Sequence, residues 1–161
     1  LIRRAEILEQ TGNNQGAFTE YENYLKIWPL SYSAMEKKAL YLSFSKQWQQ
    51  AIETYTTIID NYPENATMFY NRSLTFQQSG NLPKALNDAN NAIRLDPNRY
   101  TYFYHRSMIK YQLGDKADYK IDLKVSFSLL NEQSKKRKLS VKEKEMLSSI
   151  QKLLNDTQRA F

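Results

Sequence analysis

A fixed step of 34 residues constrains this chain more than any other feature of its sequence. Prolines and alanines recur at that step: Pro29, Pro63 and Pro97, and Ala17, Ala51 and Ala85. Two further position classes, one mostly glycine and one basic, keep the same step: Gly12, Lys46, Gly80 and Gly114, and Arg4, Lys38, Arg72 and Arg106. Four classes in one register predict an array of structural repeats that bury their apolar faces against one another.

The third repeat predicts a pair of amphipathic helices. The first spans 65–80 and ends at Gly80, which suits the left-handed residue that commonly follows a helix C-terminus. The second begins near Pro83, whose missing N–H is no loss in a first turn, and it ends at Asp96 and Pro97. Its apolar residues recur at three- and four-residue steps along one face: Leu82, Ala85, Leu86, Ala89 and Ile93.

Small side chains recur where the two helices of a repeat must approach closely. The recurring alanines of the second helices face another small set at the same step: Ala5, Ala39, Ser73 and Ser107. Small residues on both sides allow helices to pack at the short end of the usual ~8–10 Å separation, and a larger side chain there would cost about 1–3 kcal/mol. Larger residues are then expected to fill the space towards the next repeat: Leu8, Tyr21, Leu42, Tyr55, Phe76 and Ala89.

These residues together resemble the tetratricopeptide repeat, in which aromatic and small residues alternate along 34 positions before a closing proline. The best match is Phe69, Arg72, Ser73, Phe76, Gly80, Ala85, Ala92, Asp96, Pro97 and Asn98, and the resemblance extends over about residues 1–130. It implies an all-α, right-handed superhelical solenoid of antiparallel helix pairs with a concave face. It also implies a protein–protein interaction module, a scaffold or adaptor that holds a peptide or helix of a partner in the concave groove.

Four repeats are expected at about 1–30, 31–64, 65–98 and 99–131, followed by a basic linker at 132–139 and a capping helix and tail at 140–161. The fourth repeat departs from the pattern, as terminal repeats often do, at Lys110, Tyr119, Ser126 and Asn131. Ser140 and Glu143 predict a capping box at the start of the last helix, whose apolar stripe is Met146, Leu147, Ile150, Leu153 and Leu154. The chain opens at Leu1 without a cap, so we expect further residues, or a partner such as a second copy, to cover that N-terminal edge.

The positive charge is concentrated in the tail. The formal net charge is +6, and residues 131–161 account for about +4 of it, with eight basic and four acidic side chains. The nearly balanced repeat body argues against a surface built to neutralise phosphates. The run from Lys135 to Lys138 still leaves nucleic-acid or anionic-surface binding open as an alternative, and purely architectural repeat stacking is a second one. No apolar stretch reaches the ~18–20 residues of a membrane span, so we expect a soluble domain; the sequence leaves its compartment unknown, either cytoplasmic or periplasmic.

No constellation of catalytic residues is visible in the sequence. The chain lacks cysteine and has a single histidine, His105, which on a helix is expected to be groove-lining or solvated. Glycine-rich phosphate loops and metal-ligand spacings are absent from the sequence, and Asp115 and Asp118 flank a turn where carboxylates cap helices. We therefore expect no enzyme activity, no cofactor and no metal site.

The basic residue of each repeat is expected to pair with an acid in a second helix. Acids are available at or near one spacing from the basic set, at Glu20, Glu53, Asp88 and Asp122. Pairs such as Arg72 with Asp88 would fix helix register more than they stabilise, because desolvation offsets much of the attraction. Structural pairing is therefore favoured over a ladder of phosphate-binding groups.

The resemblance places the first helices of the repeats along the concave groove. The inward positions that it implies are Arg3 and Glu6; Glu36, Lys37, Leu40 and Phe44; Tyr70, Asn71, Leu74 and Gln78; and Tyr104, His105, Met108 and Tyr111. Aromatic side chains there would bury area at low entropy cost, and amides would satisfy a peptide backbone. The alternative for each tyrosine is that it completes the core between repeats.

One subgroup of tetratricopeptide domains grips the acidic C-terminal tail of chaperones, with basic and asparagine residues on three first helices. Asn71 matches the middle residue of that clamp, but Glu36, Leu40, Tyr104 and Met108 do not match its neighbours. A chaperone C-terminal tail is therefore not the expected ligand, and another protein or peptide is.

Overall fold

The computed structural model describes residues 2–115 and 117–156, so that Leu1 and the end of the predicted tail, 157–161, lie outside the described residues. All regular elements in the two described ranges are α-helices, which confirms the predicted all-α fold class. The chain divides into two compact units, termed here the N-terminal unit (residues 1–81) and the C-terminal unit (82–161). The N-terminal unit contains α1 (Ile2–Gln10), α2 (Asn14–Ile27), α3 (Tyr32–Phe44), α4 (Trp48–Asn61) and α5 (Ala66–Gln78). The C-terminal unit contains α6 (Leu82–Leu95), α7 (Tyr100–Gln112), α8 (Asp118–Lys136) and α9 (Val141–Asp156).

The first helix of each repeat is followed by a residue with left-handed backbone. The angle φ is 79° at Gly12, 60° at Lys46, 85° at Gly80 and 81° at Gly114. In each case the next residue donates its N–H to the carbonyl five positions earlier, as Asn81 does to Phe76 at 2.8 Å. This is the Schellman arrangement, and at Lys46 it holds a side chain in a conformation that costs L-residues about 1–2 kcal/mol.

Proline sets where the second helices end. The helices α2, α4 and α6 each stop two residues before a proline, at Ile27, Asn61 and Leu95, because the residue before proline is disfavoured in helical conformation. The fourth repeat has Asn131 at the equivalent position, and α8 runs on to Lys136. The structure thereby corrects the linker predicted at 132–139, because the chain leaves the helix only at Arg137, where φ is −152° and ψ is 157°.

The helices of the N-terminal unit pack through the small residues expected from the sequence. The relevant alanines are at most 2% exposed: Ala5, Ala17, Ala39 and Ala51. Consecutive helices from α1 to α5 contact one another, and Leu42, Tyr55 and Ile58 are fully enclosed, with at most 1% exposure. Burying an aliphatic side chain of this size contributes about 1.5–3 kcal/mol, so the nested helices supply the stability of this unit.

In the C-terminal unit the fourth repeat has larger or polar residues at two positions where alanine is expected. Tyr119, at an expected alanine position, is 7% exposed. Ser126, at another, donates from its buried hydroxyl to the Tyr100 carbonyl at 2.9 Å. The Asp115 side chain accepts a hydrogen bond from the Asp118 N–H, the first of α8, at 3.0 Å, so Asp115 satisfies a helix-end N–H as expected, whereas Asp118 is the first residue of the helix and Ala117 its N-cap.

The last helix, α9, packs on α8 through its apolar stripe. Ile150 is fully buried, whereas Leu153 is 39% exposed. Three further stripe residues join the same apolar clusters: Met146, Leu147 and Leu154. The predicted capping box is confirmed, because the Ser140 N–H donates to Glu143 Oε2 at 2.8 Å and the Glu143 N–H donates to Ser140 Oγ at 3.3 Å.

In the N-terminal unit the basic residues pair with acids, in one case with a different acid from the one expected. Arg4 Nε lies 3.4 Å from Glu20 Oε1. Lys38 pairs instead with Glu22, at 3.1 Å, and the prediction that it uses Glu53 is wrong. Glu53 stands one residue short of the spacing that joins Arg4 to Glu20, which turns its side chain by about 100° around the helix.

In the C-terminal unit two basic residues share one buried carboxylate. Arg106 binds Asp122 with two hydrogen bonds, of 2.8 Å and 2.6 Å. Lys110 Nζ lies 3.0 Å from the same carboxylate, which is only 2% exposed. The pairing predicted between Arg72 and Asp88 stays a prediction, because the two residues belong to different units.

Candidate functional site

The end of α3 presents a large aromatic ring to the outside. Phe44, the last residue of α3, is 85% exposed. It lines two separate cavities of the N-terminal unit, as does half-buried Leu40 one turn earlier. An exposed phenylalanine ring forgoes about 1.5–3 kcal/mol of burial, and because this one adjoins two cavities it marks the surface as a candidate binding site.

The first cavity is lined by α1, α2 and α3, and its volume is about 560 Å³. Its lining residues are Glu9, Asn14, Gln15, Ala17, Phe18, Tyr21, Lys37, Leu40, Tyr41, Phe44 and Ser45. Phe18 and Tyr41 stack with ring centroids 4.3 Å apart, and the Tyr41 hydroxyl donates to Gln15 Oε1. Lys37 Nζ donates to Glu9 Oε2 at 2.8 Å, so an ion pair joins α1 to α3 at this cavity.

Tyr21 lines the first cavity with an unsatisfied hydroxyl. Its side chain is enclosed, with 2% exposure. Its hydroxyl and Glu20 Oε2 are the two buried side-chain atoms of the described residues that have no hydrogen-bond partner. Burial raises the pKa of Tyr21 to about 12, and the charge of Glu9, its hydrogen-bonding interaction with this hydroxyl and the charge of Glu6 act in the same direction. The hydroxyl therefore stays protonated at neutral pH and can both donate and accept.

The second cavity lies between α3 and α5 and encloses about 80 Å³. The hydroxyls of Ser43 and Thr75 are 3.0 Å apart and tie the two helices together, and Ser43 also hydrogen-bonds the hydroxyl of buried Tyr55. The amides of Asn71 and Gln78 line the same cavity. The outward residues around the second cavity form the Phe44 surface: Leu40, Phe44, Asn71, Leu74 and Gln78.

The two cavities are equivalent sites one repeat apart. Their lining residues correspond at the 34-residue step: Glu9 with Ser43, Tyr21 with Tyr55, Lys37 with Asn71, Leu40 with Leu74, Tyr41 with Thr75, and Phe44 with Gln78. In the second cavity two short hydroxyl side chains meet and close the space. In the first, Tyr41 is stacked on Phe18 instead, and the junction stays open.

The structure brings part of the predicted groove in the N-terminal unit to these cavities. Six residues of the prediction line them: Lys37, Leu40, Phe44, Asn71, Leu74 and Gln78. Glu36 and Tyr70 are half-buried and Arg3 is exposed on α1, and none of the three is among the lining residues. Sequence reasoning missed the contribution of Glu9, Gln15, Phe18 and Tyr41. The sequence offered one signal for this larger cavity. At the 34-residue step Glu9 corresponds to Ser43 and Tyr41 to Thr75, so bulkier side chains replace small ones there.

Of the four groove residues predicted in the C-terminal unit, His105 is buried, Tyr104 and Met108 are half-buried, and Tyr111 is exposed. His105 is 4% exposed and desolvation lowers its pKa to about 4, so the prediction of a groove-lining or solvated histidine is wrong. Tyr104 and Met108 pack against the apolar cluster to which α9 contributes. For Tyr104 this agrees with the alternative that the tyrosine completes the core and does not line a groove. Tyr111 is 60% exposed, with its ring edge-on to Tyr119 at 5.3 Å.

Half of the basic run in the tail is held in ion pairs. Lys135 Nζ lies 2.6 Å from Glu132 Oε1. Arg137 Nη2 lies 2.5 Å from Glu143 Oε1, and this contact lowers the pKa of Glu143. Within residues 2–115 and 117–156, no three His, Cys, Asp or Glu side chains come together as a metal ligand set. None of the helices in those ranges has both the length and the apolar composition to cross a membrane.

Comparison with known sequences points to one family. Residues 36–100 match the family model described as Tetratricopeptide repeat. DnaJ homolog subfamily C member 7 of Homo sapiens is 39% identical over 51 residues, which are 32% of this chain and 10% of that protein. The Mus musculus protein of the same name matches over the same shares. This chain therefore spans about a tenth of the length of these curated relatives.

Solved structures share the same helical-repeat fold. MamA from Desulfovibrio magneticus RS-1 is 22% identical, with a TM-score of 0.78 over 82% of this chain and 75% of that chain. The Sgt2 TPR domain from Aspergillus fumigatus is 19% identical, with a TM-score of 0.63 over 80% of this chain and 82% of that chain. At these identities the likeness establishes the fold alone. Residues 36–100 thus match the tetratricopeptide repeat in sequence, and the helical fold and the 34-residue period agree with that match.

Proposed function

We propose that this chain is a protein–protein interaction module, a scaffold or adaptor, whose N-terminal unit binds a peptide or helix of a partner on the Phe44 surface. The exposure of Phe44 carries the proposal. A ring that is 85% exposed adds little to the interior of the fold. It lies between two cavities, where it can bury its area against a partner, as the aromatic anchors of interfaces do.

The polar neighbours of Phe44 suit a peptide main chain. The amides of Asn71 and Gln78 can each donate and accept hydrogen bonds, and each peptide unit offers one donor and one acceptor. The charge of Lys37 is balanced by Glu9 at 2.8 Å. A segment of mixed polar and apolar character therefore fits better than a strongly acidic one, in keeping with the expectation that a chaperone tail is not the ligand.

Two other roles have narrower support. Binding of nucleic acid or an anionic surface through the tail would depend on Lys136 and Lys138, because Lys135 and Arg137 are engaged in ion pairs. Architectural stacking on a second copy would use the N-terminal edge, where Ile7 on α1 is 59% exposed. A mass that rises with concentration would favour the stacking role. The repeat family is generally non-enzymatic, and we propose no catalytic role.

Selection of peptides on the intact chain tests the proposal while the natural partner is still unidentified. Random 12-residue peptides displayed on phage would be selected on immobilised protein, and the enriched peptides titrated by fluorescence anisotropy. We expect Phe44→Ala combined with Asn71→Ala to weaken their binding at least tenfold. Trp28→Ala is the matched control, because Trp28 is an aromatic residue that is exposed as well, at 60%, but it lines a different pocket.

The melting temperature separates loss of binding from loss of folding. It should change little in the double variant, because the Phe44 ring is mostly in solvent. The proposal fails if no peptide is enriched over an albumin surface. It also fails if Trp28→Ala weakens the enriched peptides more than the double variant does.

A further inference from the structure

The first cavity has the properties of a built pocket. Its volume of about 560 Å³ falls within the ~300–1,000 Å³ that is usual for ligand sites. The equivalent junction one repeat later encloses only about 80 Å³. Both junctions are made by the same three kinds of helix in the same chain, so the repeat fold does not require the open form.

Tyr21 gives the pocket a polar floor, because its hydroxyl has no partner at full hydrogen-bond distance among the described residues. The corresponding hydroxyl, that of Tyr55, is hydrogen-bonded by Ser43. The Tyr21 hydroxyl interacts with Glu9, the equivalent of Ser43, but it has no partner at full hydrogen-bond distance, although its side chain is enclosed, with 2% exposure. Glu9, which lines the pocket, is the charged group that acts most strongly on this hydroxyl, so the hydroxyl lies towards the pocket. A buried hydroxyl left unpaired is costly, and an occupant with a polar group would relieve that cost.

The charges around the pocket restrict the chemistry of the occupant. The Glu9 carboxylate already holds the Lys37 ammonium group at 2.8 Å. A guanidinium or ammonium group would have to compete with Lys37 for the same carboxylate. A carboxylate would meet the negative field of Glu9 and Glu6 at the Tyr21 hydroxyl. The pocket therefore favours a neutral group that can donate a hydrogen bond.

The walls of the pocket favour a flat ring. Phe18 and Tyr41 are stacked at 4.3 Å and form one aromatic side, and Phe44 stands at the pocket with its ring 85% exposed. Aromatic pairs gain energy beyond the area that they bury. Tyrosine and tryptophan combine a flat apolar body with one hydrogen-bond donor at the tip.

We propose that the first cavity is a specificity pocket that receives a tyrosine or tryptophan side chain of the protein segment bound on the Phe44 surface. The inference rests on the proposed function, because that segment is the source of the side chain. Leu40 and Phe44 belong to both the pocket and the surface, so a segment lying over α3 can reach both.

Small probes that mimic single side chains test the pocket apart from the surface. The ¹⁵N-labelled intact chain would be titrated with p-cresol and 3-methylindole as the side chains of tyrosine and tryptophan. Toluene supplies the ring without the donor, and n-butylguanidinium and propionate supply the charged alternatives. We expect p-cresol and 3-methylindole to shift the amide signals of Tyr21, Lys37 and Tyr41 and to bind about three- to tenfold more tightly than toluene, the usual effect of one neutral hydrogen bond.

Tyr21→Phe is the decisive variant, because it removes only the unpaired hydroxyl and leaves the ring in place. It should abolish the preference of p-cresol over toluene, whereas Tyr55→Phe, the same change one repeat later, should leave that preference intact. The inference is overturned if toluene matches p-cresol on the unmodified chain, or if the preference survives Tyr21→Phe. Tighter binding of n-butylguanidinium or propionate would also overturn it.

The two proposals fail in different ways. If peptides selected on the chain depend on Phe44 and Asn71 but p-cresol leaves the signals of Tyr21 and Lys37 unshifted, the pocket is wrong and the surface stands. If no peptide is enriched, the proposed function fails whatever p-cresol does, and the pocket loses its role in binding a partner.

Discussion

Replacing His105 by glutamine tests how completely the C-terminal unit is closed. His105 is 4% exposed, and burial lowers its pKa from 6.5 to about 4. Between these two values the unfolded chain binds a proton that the folded chain does not, so the free energy of unfolding falls as the pH falls. A shift of about 2.5 units corresponds to about 3 kcal/mol. This part of the free energy of unfolding is fully present above about pH 6.5 and is lost by about pH 4.

The assay is denaturant unfolding of the unmodified chain and of His105→Gln at several pH values from about 7.5 to about 4. Carboxylates titrate in both proteins, so the difference between the two curves isolates the histidine. We expect the unmodified chain to lose about 3 kcal/mol more than the variant over this range. The imidazole signals should titrate with a midpoint near pH 4. Parallel stability curves, or a midpoint near 6.5, would refute the enclosure of His105.

Three further substitutions test the packing. Lys46→Gly should raise the free energy of unfolding by about 0.5–1 kcal/mol, because it relieves a left-handed side chain at the expense of glycine's extra unfolded entropy; an unchanged urea midpoint would argue against this. Asp122→Ala should lower the free energy of unfolding by about 3–5 kcal/mol, because it leaves the charges of Arg106 and Lys110 without their buried carboxylate. The control Glu132→Ala, which breaks an exposed ion pair, should change the free energy of unfolding little. Equal losses for the two variants in urea unfolding would contradict this prediction. Ala51→Leu should lower the free energy of unfolding by about 1–3 kcal/mol through overpacking, and a melting temperature unaffected by it would show that helices α3 and α4 are not closely nested.

The sequence predicts the helix boundaries well where a single residue dictates the backbone. Gly80 has the positive φ that a helix stop requires, and α6 ends two residues before Pro97. The capping box of Ser140 and Glu143 is equally local, since both partners lie within one helical turn. Such signals act within a few residues, so the 34-residue period transfers them from one repeat to the next.

The remaining features depend on contacts that no local pattern encodes. The helix α8 continues past Asn131 because no proline stops it, and Lys38 takes Glu22 on another helix instead of Glu53. His105 is enclosed in the C-terminal unit, and a helical projection of the repeat alone does not show which neighbours cover a position. The first cavity exists because the Tyr41 ring stacks on Phe18, a choice of side-chain conformation that the repeat pattern does not fix.

Photo-crosslinking at position 44 tests most directly whether the nested repeats leave a surface that holds another protein. The photoreactive residue p-benzoylphenylalanine would replace Phe44 in one sample and Val141, which is 72% exposed in the C-terminal unit, in another. The account predicts a discrete protein adduct from position 44 after irradiation in cells, and none of that mass from position 141. Absence of an adduct at position 44, or the same adducts from both positions, would contradict it.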